Sequence, residues 1–135
     1  MWDFTSYYSL NEVWIGKKRI ARDSVLLGSN PNHPQSNGQR HLKDRMDLYA
    51  CYATLLLCGP RVRALVTRLA EIYQNISVYQ HSVPVGLIWS MSSIEDGCVI
   101  RIAGKGSEDV KCWIRDQLRG LEEIIGQDVY SKAFL

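Results

Sequence analysis

Leu48-Tyr-Ala-Cys-Tyr-Ala-Thr-Leu-Leu-Leu-Cys-Gly-Pro60 runs directly into Arg61-Val-Arg-Ala-Leu-Val-Thr-Arg-Leu69, and this junction decides the fold class. Ten or so residues rich in Leu and Tyr have the length and composition of a strand covered on both faces. Gly59-Pro60 breaks the strand and opens a helix, because proline's missing N–H falls where a first-turn donor has no partner anyway. From Pro60 to about Tyr73, Val62, Leu65, Val66, Leu69, Ile72 and Tyr73 project onto one face at i, i+3, i+4 spacing, with Arg63, Thr67, Arg68 and Glu71 opposite. The apolar stripe reads as core. Arg61, Arg63 and Arg68 read either as a solvated face or as a docking patch for an acidic partner.

Downstream, Val85 to Met91 and Gly97-Cys-Val-Ile-Arg-Ile-Ala103 are two β-rich runs, and Asp96-Gly97 between them is a turn signal for an antiparallel hairpin. Gly104-Lys-Gly106 then leads to Ser107 as N-cap of a second helix, with Glu108 and Asp109 where the helix dipole favours negative charge. Val110, Trp113, Ile114, Leu118, Leu121, Ile124 and Ile125 give a continuous apolar stripe, and Gly126 stands at the C-cap position. Gln117 falls inside that stripe. It requires a hydrogen-bond partner, either within the domain or on another subunit.

Upstream, residues 2 to 10 alternate bulky and polar side chains at period two, so a strand with Trp2, Phe4, Tyr8 and Leu10 in one phase is predicted. Asn11 to Ile15 and Arg19 to Leu27 flank Gly16-Lys17-Lys18 as a hairpin. With Gly16-Lys17 as a type II′ loop, Val13 faces Ile20; a Lys17-Lys18 loop would set Glu12 opposite Asp23, a like-charge pair. The first register is expected. Gly28 to Arg45 is rich in Asn, Pro, Ser and Gly with almost no apolar residue, and is predicted to be a flexible loop. One domain over residues 1–135 follows, mainly β with two α-helices and α+β by content, a size that supports a core without metal or disulfide.

Composition narrows the function. Sixteen basic and fourteen acidic residues leave a net charge of +2, too little for nucleic-acid binding driven by counterion release. No apolar run approaches the ~20 residues of a membrane helix, and the N-terminus lacks the segments of a signal peptide. A soluble cytoplasmic protein is expected. The four cysteines, at 51, 58, 98 and 112, have no C-x-x-C spacing and read as reduced thiols, three of them core filler and Cys112 on a basic helix face. His33 and His41 sit eight residues apart without further ligands at useful spacing, so a solvated loop is favoured over a metal site. Gly104-Lys-Gly-Ser107 lacks the Walker spacing, and His81 beside Ser82 says nothing of a triad, which is assembled in space. No arrangement of side chains for catalysis is legible.

Taken together, Tyr52-Ala-Thr-Leu-Leu-Leu-Cys-Gly-Pro60, Gly97-Cys-Val-Ile-Arg-Ile-Ala103 followed by Ser107-Glu-Asp-Val110, and Leu121-x-x-Ile-Ile-Gly126 resemble the C-terminal half of urease accessory protein D, the UreD or UreH family. Trp2-x-Phe4, Asn11-Glu12 and Arg22-Asp23-x-Val-Leu-Leu27 are similar to the preceding strands of eukaryotic members. The resemblance implies a layered β-stack of UreD/UreH type, truncated at about its middle, whose exposed strand edges would invite association. It also implies a non-enzymatic chaperone that binds apo-urease and, with other accessory proteins including a GTPase, helps insert nickel. By position in the matching segments, Glu12 and Asp23 are the carboxylates for a nickel route, with nickel in transit and no tightly bound cofactor. Their structural reading is as strand carboxylates paired with Arg19 or Arg22. From Leu48 onward, strand–helix–strand–strand–helix is also compatible, as the alternative, with a split βαβ two-layer α+β sandwich, a small ligand-binding or regulatory domain.

Overall fold

The computed structural model describes residues 6–28, 48–79 and 86–134. Strands β1 (Ser6–Ile15) and β2 (Lys18–Gly28) form a hairpin that is a sheet by itself, and β3 (Cys51–Cys58), β4 (Leu87–Ile94) and β5 (Gly97–Gly104) form a second sheet in the order β3-β5-β4. A 3-10 turn at Pro60–Val62 leads into α1 (Arg63–Tyr79); α2 (Ser107–Gln117), α3 (Glu122–Ile125) and α4 (Gln127–Ala133) close the chain. Both β3 and β4 pair antiparallel with β5 and so run parallel to each other, with α1 as the crossover between them. This is the split βαβ arrangement, and it accounts for the described strands and helices from Cys51 to Gln117.

β5 is the centre of the molecule because both of its faces are covered. Cys98, Ile100 and Ile102 are wholly buried and pack with Leu57 of β3, Leu65 and Leu69 of α1, and Val110 of α2. Trp89 of β4 stands between the helices, its ring centroid 5.1 Å from Tyr73 of α1 and 5.0 Å from Trp113 of α2, so both helices lie on one face of the sheet. The tilted rings favour contact between edge and face. Arg101, alternating with Ile100 and Ile102, leaves from the other face and bonds to Asp23 of β2, which places the hairpin there. The order of layers is hairpin, sheet, helices.

Several expectations from the sequence are corrected. The hairpin loop is Gly16-Lys17 as expected, and Gly16 has φ +60 as the first residue of a type II′ turn requires. A bulge between Val13 and Trp14 nevertheless shifts the register, so that Val13 faces Ala21 and not Ile20, Glu12 faces Arg22, and Asn11 faces Asp23. The bulge is selected by burial: without it Val25 and Leu27 would point away from the sheet and Arg22 and Ser24 toward it. α1 runs to Tyr79, past the expected end near Tyr73. Gly106, with extended backbone, is the N-cap of α2 in place of Ser107, and it supplies no side-chain cap bond. The long second helix expected up to Gly126 is two helices, α2 ending at Gln117 and α3 following after Gly120, which takes φ +96; α4, beyond Gly126, is a further helix that the sequence reading does not place. Leu118 and Leu121 keep the apolar phase across that break, which is why periodicity passes over it.

Gly28, the first residue of the predicted loop, is the last residue of β2; the rest of that loop, with His33 and His41, lies outside the described residues, as do Trp2, Phe4 and His81. At the β4–β5 turn a side chain on Gly97 would bring its Cβ to 1.9 Å from the Leu57 carbonyl oxygen, so glycine is obligatory where β5 crosses β3.

One core spanning sheet and helices predicts a steep contrast between positions. Leu69→Ala, at a residue with no exposed surface, should lose about 2–5 kcal/mol of unfolding free energy. Leu26→Ala, at a residue 69% exposed, should change it by about 0.5 kcal/mol or less. Urea unfolding followed by tryptophan fluorescence measures both, and equal losses would contradict this core.

Candidate functional site

The bulge that re-phases β2 turns Ala21, Asp23, Val25 and Leu27 toward the second sheet. Asp23 is 1% exposed, the one buried charged side chain among the described residues. Its Oδ1 accepts hydrogen bonds from Arg101 Nε at 3.1 Å and from an Arg101 terminal nitrogen. Oδ2 is buried and has no hydrogen-bond partner. A carboxylate taken out of water is costly unless it is paired, and here a single guanidinium compensates one oxygen of the two. The bond to Asp23 raises the pKa of Arg101 above its already high ordinary value, so its charge is constant across the working pH range.

Beside this pair lies a cavity of about 340 Å³ between the hairpin and the sheet, lined by Tyr7, Ser9, Asn11, Val25, Leu27, Tyr52 and Thr54. The register fixes its relation to the ion pair: Asn11 is the cross-strand partner of Asp23, and Thr54 that of Arg101. Hydroxyl and amide groups of Ser9, Asn11 and Thr54 thus surround a space adjoining an under-satisfied carboxylate. At the hairpin tip a second tie, Lys18 Nζ to Glu95 Oε1 at 2.6 Å, holds the layers together, though both groups are exposed.

Glu12 is not part of this constellation. It sits on the outer face of the hairpin, accepts bonds from Arg19 at 2.9 Å and Trp14 Nε1 at 3.3 Å, and lies 3.8 Å from Arg22. Arg19 also stacks over the Trp14 ring at 5.8 Å. The two carboxylates read as a pair from the sequence therefore face opposite sides of one sheet. The three arginines of the helix are also dispersed. Arg61 is exposed; Arg63 reaches Asp96 of the β4–β5 turn at 3.5 Å; Arg68 donates to the carbonyls of Gln117 and Arg119, the latter at 3.2 Å, and so caps the C-terminus of α2. Gln117 is half-buried, and its backbone carbonyl is one of the two that Arg68 of α1 holds. Sequence reasoning missed Arg101, whose role depends on a partner 78 residues away.

Among the cysteines, burial pushes the Cys98 thiol up to about 11, with Cys58 nearby adding to the shift, and burial raises Cys58 as well. Cys112 is exposed, with an Arg115 nitrogen 3.9 Å from its sulfur. Among the described residues no group of three or more His, Cys, Asp or Glu is placed to hold a metal ion, and no helix is long and apolar enough to cross a membrane.

Comparison with known proteins gives a consistent result. The family model described as UreD urease accessory protein matches residues 1–133. Urease accessory protein 4 of Cryptococcus neoformans var. grubii is 30% identical over 139 residues, covering 98% of this chain and 42% of that protein. Urease accessory protein D of Arabidopsis thaliana is 25% identical over 152 residues, covering 96% of this chain and 49% of that protein, and UreD of an Anaeromyxobacter species is 22% identical over 132 residues, covering 98% and 41%. The chain thus spans less than half the length of these curated relatives. No solved structure matches it.

Two outcomes are expected of the site. Arg101→Leu strands a buried carboxylate and should destabilise the protein by about 1–3 kcal/mol, less than the roughly 3–5 kcal/mol for breaking a fully buried pair because the Arg101 side chain is 41% exposed. Asp23→Leu with Arg101→Leu should be more stable than Arg101→Leu alone and close to the wild type, and urea denaturation would place the double variant well below the wild type if the pair were a net stabiliser. In thiol titration with a chromogenic disulfide at pH 8, Cys112 should react at once in the native protein and Cys98 only after unfolding. Because the folded state holds the Cys98 proton more tightly, its contribution to stability is present below the ordinary thiol value of 9.0 and is lost as pH rises toward about 11.

Proposed function

The chain belongs to the UreD family of urease accessory proteins, and from that premise we propose that it acts in the cytoplasm as a non-enzymatic scaffold of urease maturation. In this reading it binds apo-urease together with other accessory proteins, a GTPase among them, and assists nickel insertion. The observation that carries the reading is the match of the family model to residues 1–133, the full length of the folded elements. The relatives are urease accessory proteins by name.

The hairpin supports the protein-binding part of the role. Tyr8, Leu10, Trp14 and Leu26 are 60%, 42%, 54% and 69% exposed on its outer face, a concentration of apolar surface that soluble proteins otherwise keep for partners. Asp23 supports the nickel part. Nickel is cargo here, and borderline divalent ions accept oxygen ligands. Among the described residues, the unpartnered Oδ2, whose cross-strand neighbour Asn11 lines the cavity although Asp23 itself does not, is suited to a brief contact with a cation. Glu12, paired with two arginines on the other face, is not on that route.

A second reading, a small ligand-binding domain, draws on the split βαβ arrangement and on the same cavity. Its lining of uncharged polar and apolar side chains fits a small neutral molecule.

The test is reconstitution. Tagged full chain mixed at micromolar concentration with apo-urease and the complete set of accessory proteins should co-purify with them and raise urease activity after nickel addition. Asp23→Asn, which keeps the size and the acceptor for Arg101, should retain association and lower nickel-dependent activation several-fold. Absence of association under these conditions would overturn the scaffold role, and unchanged activation by Asp23→Asn would remove Asp23 from it.

A further inference from the structure

β4 is an edge strand without the devices that ordinarily keep edges apart. Among the described residues it pairs only with β5, in unbroken register from Leu87 opposite Gly104 to Ile94 opposite Gly97. Its eight residues, LIWSMSSI, contain no Lys, Arg, Asp, Glu or Pro. Exposed edges of monomeric proteins are usually interrupted by a charge, a proline or a bulge. In this sheet the charge is on the central strand instead, at Arg101. The hairpin meets the sheet over Tyr52 and Thr54 of β3, and Ile88, Ser90 and Ser92 of β4 are left exposed.

We propose that β4 is a self-pairing edge, through which two copies of this chain join antiparallel into one continuous six-stranded sheet. The choice of a second copy rests on register and charge. Leu87, Trp89 and Met91 pack toward the helices, so a pairing that continues the sheet must set odd residues opposite odd ones. A twofold axis through Ser90, perpendicular to the sheet, does this: Ser90 meets its counterpart, Trp89 meets Met91, Ile88 meets Ser92, and Leu87 meets Ser93. Each large side chain then faces a small or flexible one, and the helices of both copies stay on one side of the sheet. The same axis runs the acidic Glu95-Asp96 end of each β4 toward the other copy's Lys105, which is exposed and donates its backbone N–H to Gly86 at the start of β4. The contact is isologous and closes at two copies. It does not depend on the role in urease maturation.

Sedimentation velocity on the full chain over a concentration series should show monomer passing to a species of twice the mass. Ser90→Lys, which sets two ammonium groups face to face at the axis, should abolish that species while leaving the far-ultraviolet circular dichroism unchanged. A second variant covers the case in which Ser90→Lys unfolds. In a Cys112→Ser background, Ser90→Cys should form a covalent dimer on removal of reductant much faster than Ser93→Cys, because opposed residues at the axis bring Cα atoms about 4.5–5.5 Å apart, within disulfide reach. A chain that stays monomeric at every concentration, a dimer indifferent to Ser90→Lys in the folded variant, or equal cross-linking at positions 90 and 93 would overturn the proposal. So would a foreign strand found on β4 in place of the second copy.

Discussion

Arg101 leaves the middle of the central strand and meets, across the gap between two sheets, a carboxylate that water does not reach. The rest of the arrangement follows from that meeting. For Asp23 to be buried there, β2 must carry a bulge, since the regular register would send Asp23 outward with Leu10. For Arg101 to reach it, Ile100 and Ile102 must face the helices, which fixes the side on which α1 and α2 pack. One long-range pair thus ties the phase of the hairpin to the phase of the sheet. Because one carboxylate oxygen goes unsatisfied, the pair specifies how the layers stack more than it strengthens them.

The helical side is built differently. There the helix stripes are broad, the sheet contributes three wholly buried side chains from β5, and the aromatic row Tyr73, Trp89 and Trp113 joins three elements. Arg68 adds a polar tie by capping α2 from α1. Loss of any one contact on that side leaves many others, whereas the hairpin rests on Asp23, Lys18 and a half-filled interface with a cavity in it. Local opening should therefore begin at the hairpin.

This difference also explains which parts were legible in the sequence. Helix stripes and strand alternation are local, periodic signals, and from them the strands, the start of α1 and the β4–β5 turn at Asp96-Gly97 could be placed. The hairpin loop at Gly16-Lys17 was legible for the same reason. The bulge at Ile20 was not read, although the parity of Val25 and Leu27 against Ile20 carried the signal. The break at Gly120 hid behind the continued apolar phase of Leu118 and Leu121. Asp23 enters as a site candidate only by resemblance, and Arg101 not at all, because two polar residues 78 positions apart leave no period to detect. Glu12 and Asp23 were grouped as carboxylates of one kind, and a single extra residue in β2 put them on opposite faces.

Charge placement carries the last step. In the three-stranded sheet the outer strands β3 and β4 are uncharged and the inner strand carries Arg101, the inverse of a sheet protected against its own edges. In the hairpin the outer face combines Tyr8, Leu10 and Leu26 with an ion cluster of Glu12, Arg19 and Arg22 at one end. The first surface can accept only a strand, through backbone groups, and the second only a layer, through side chains.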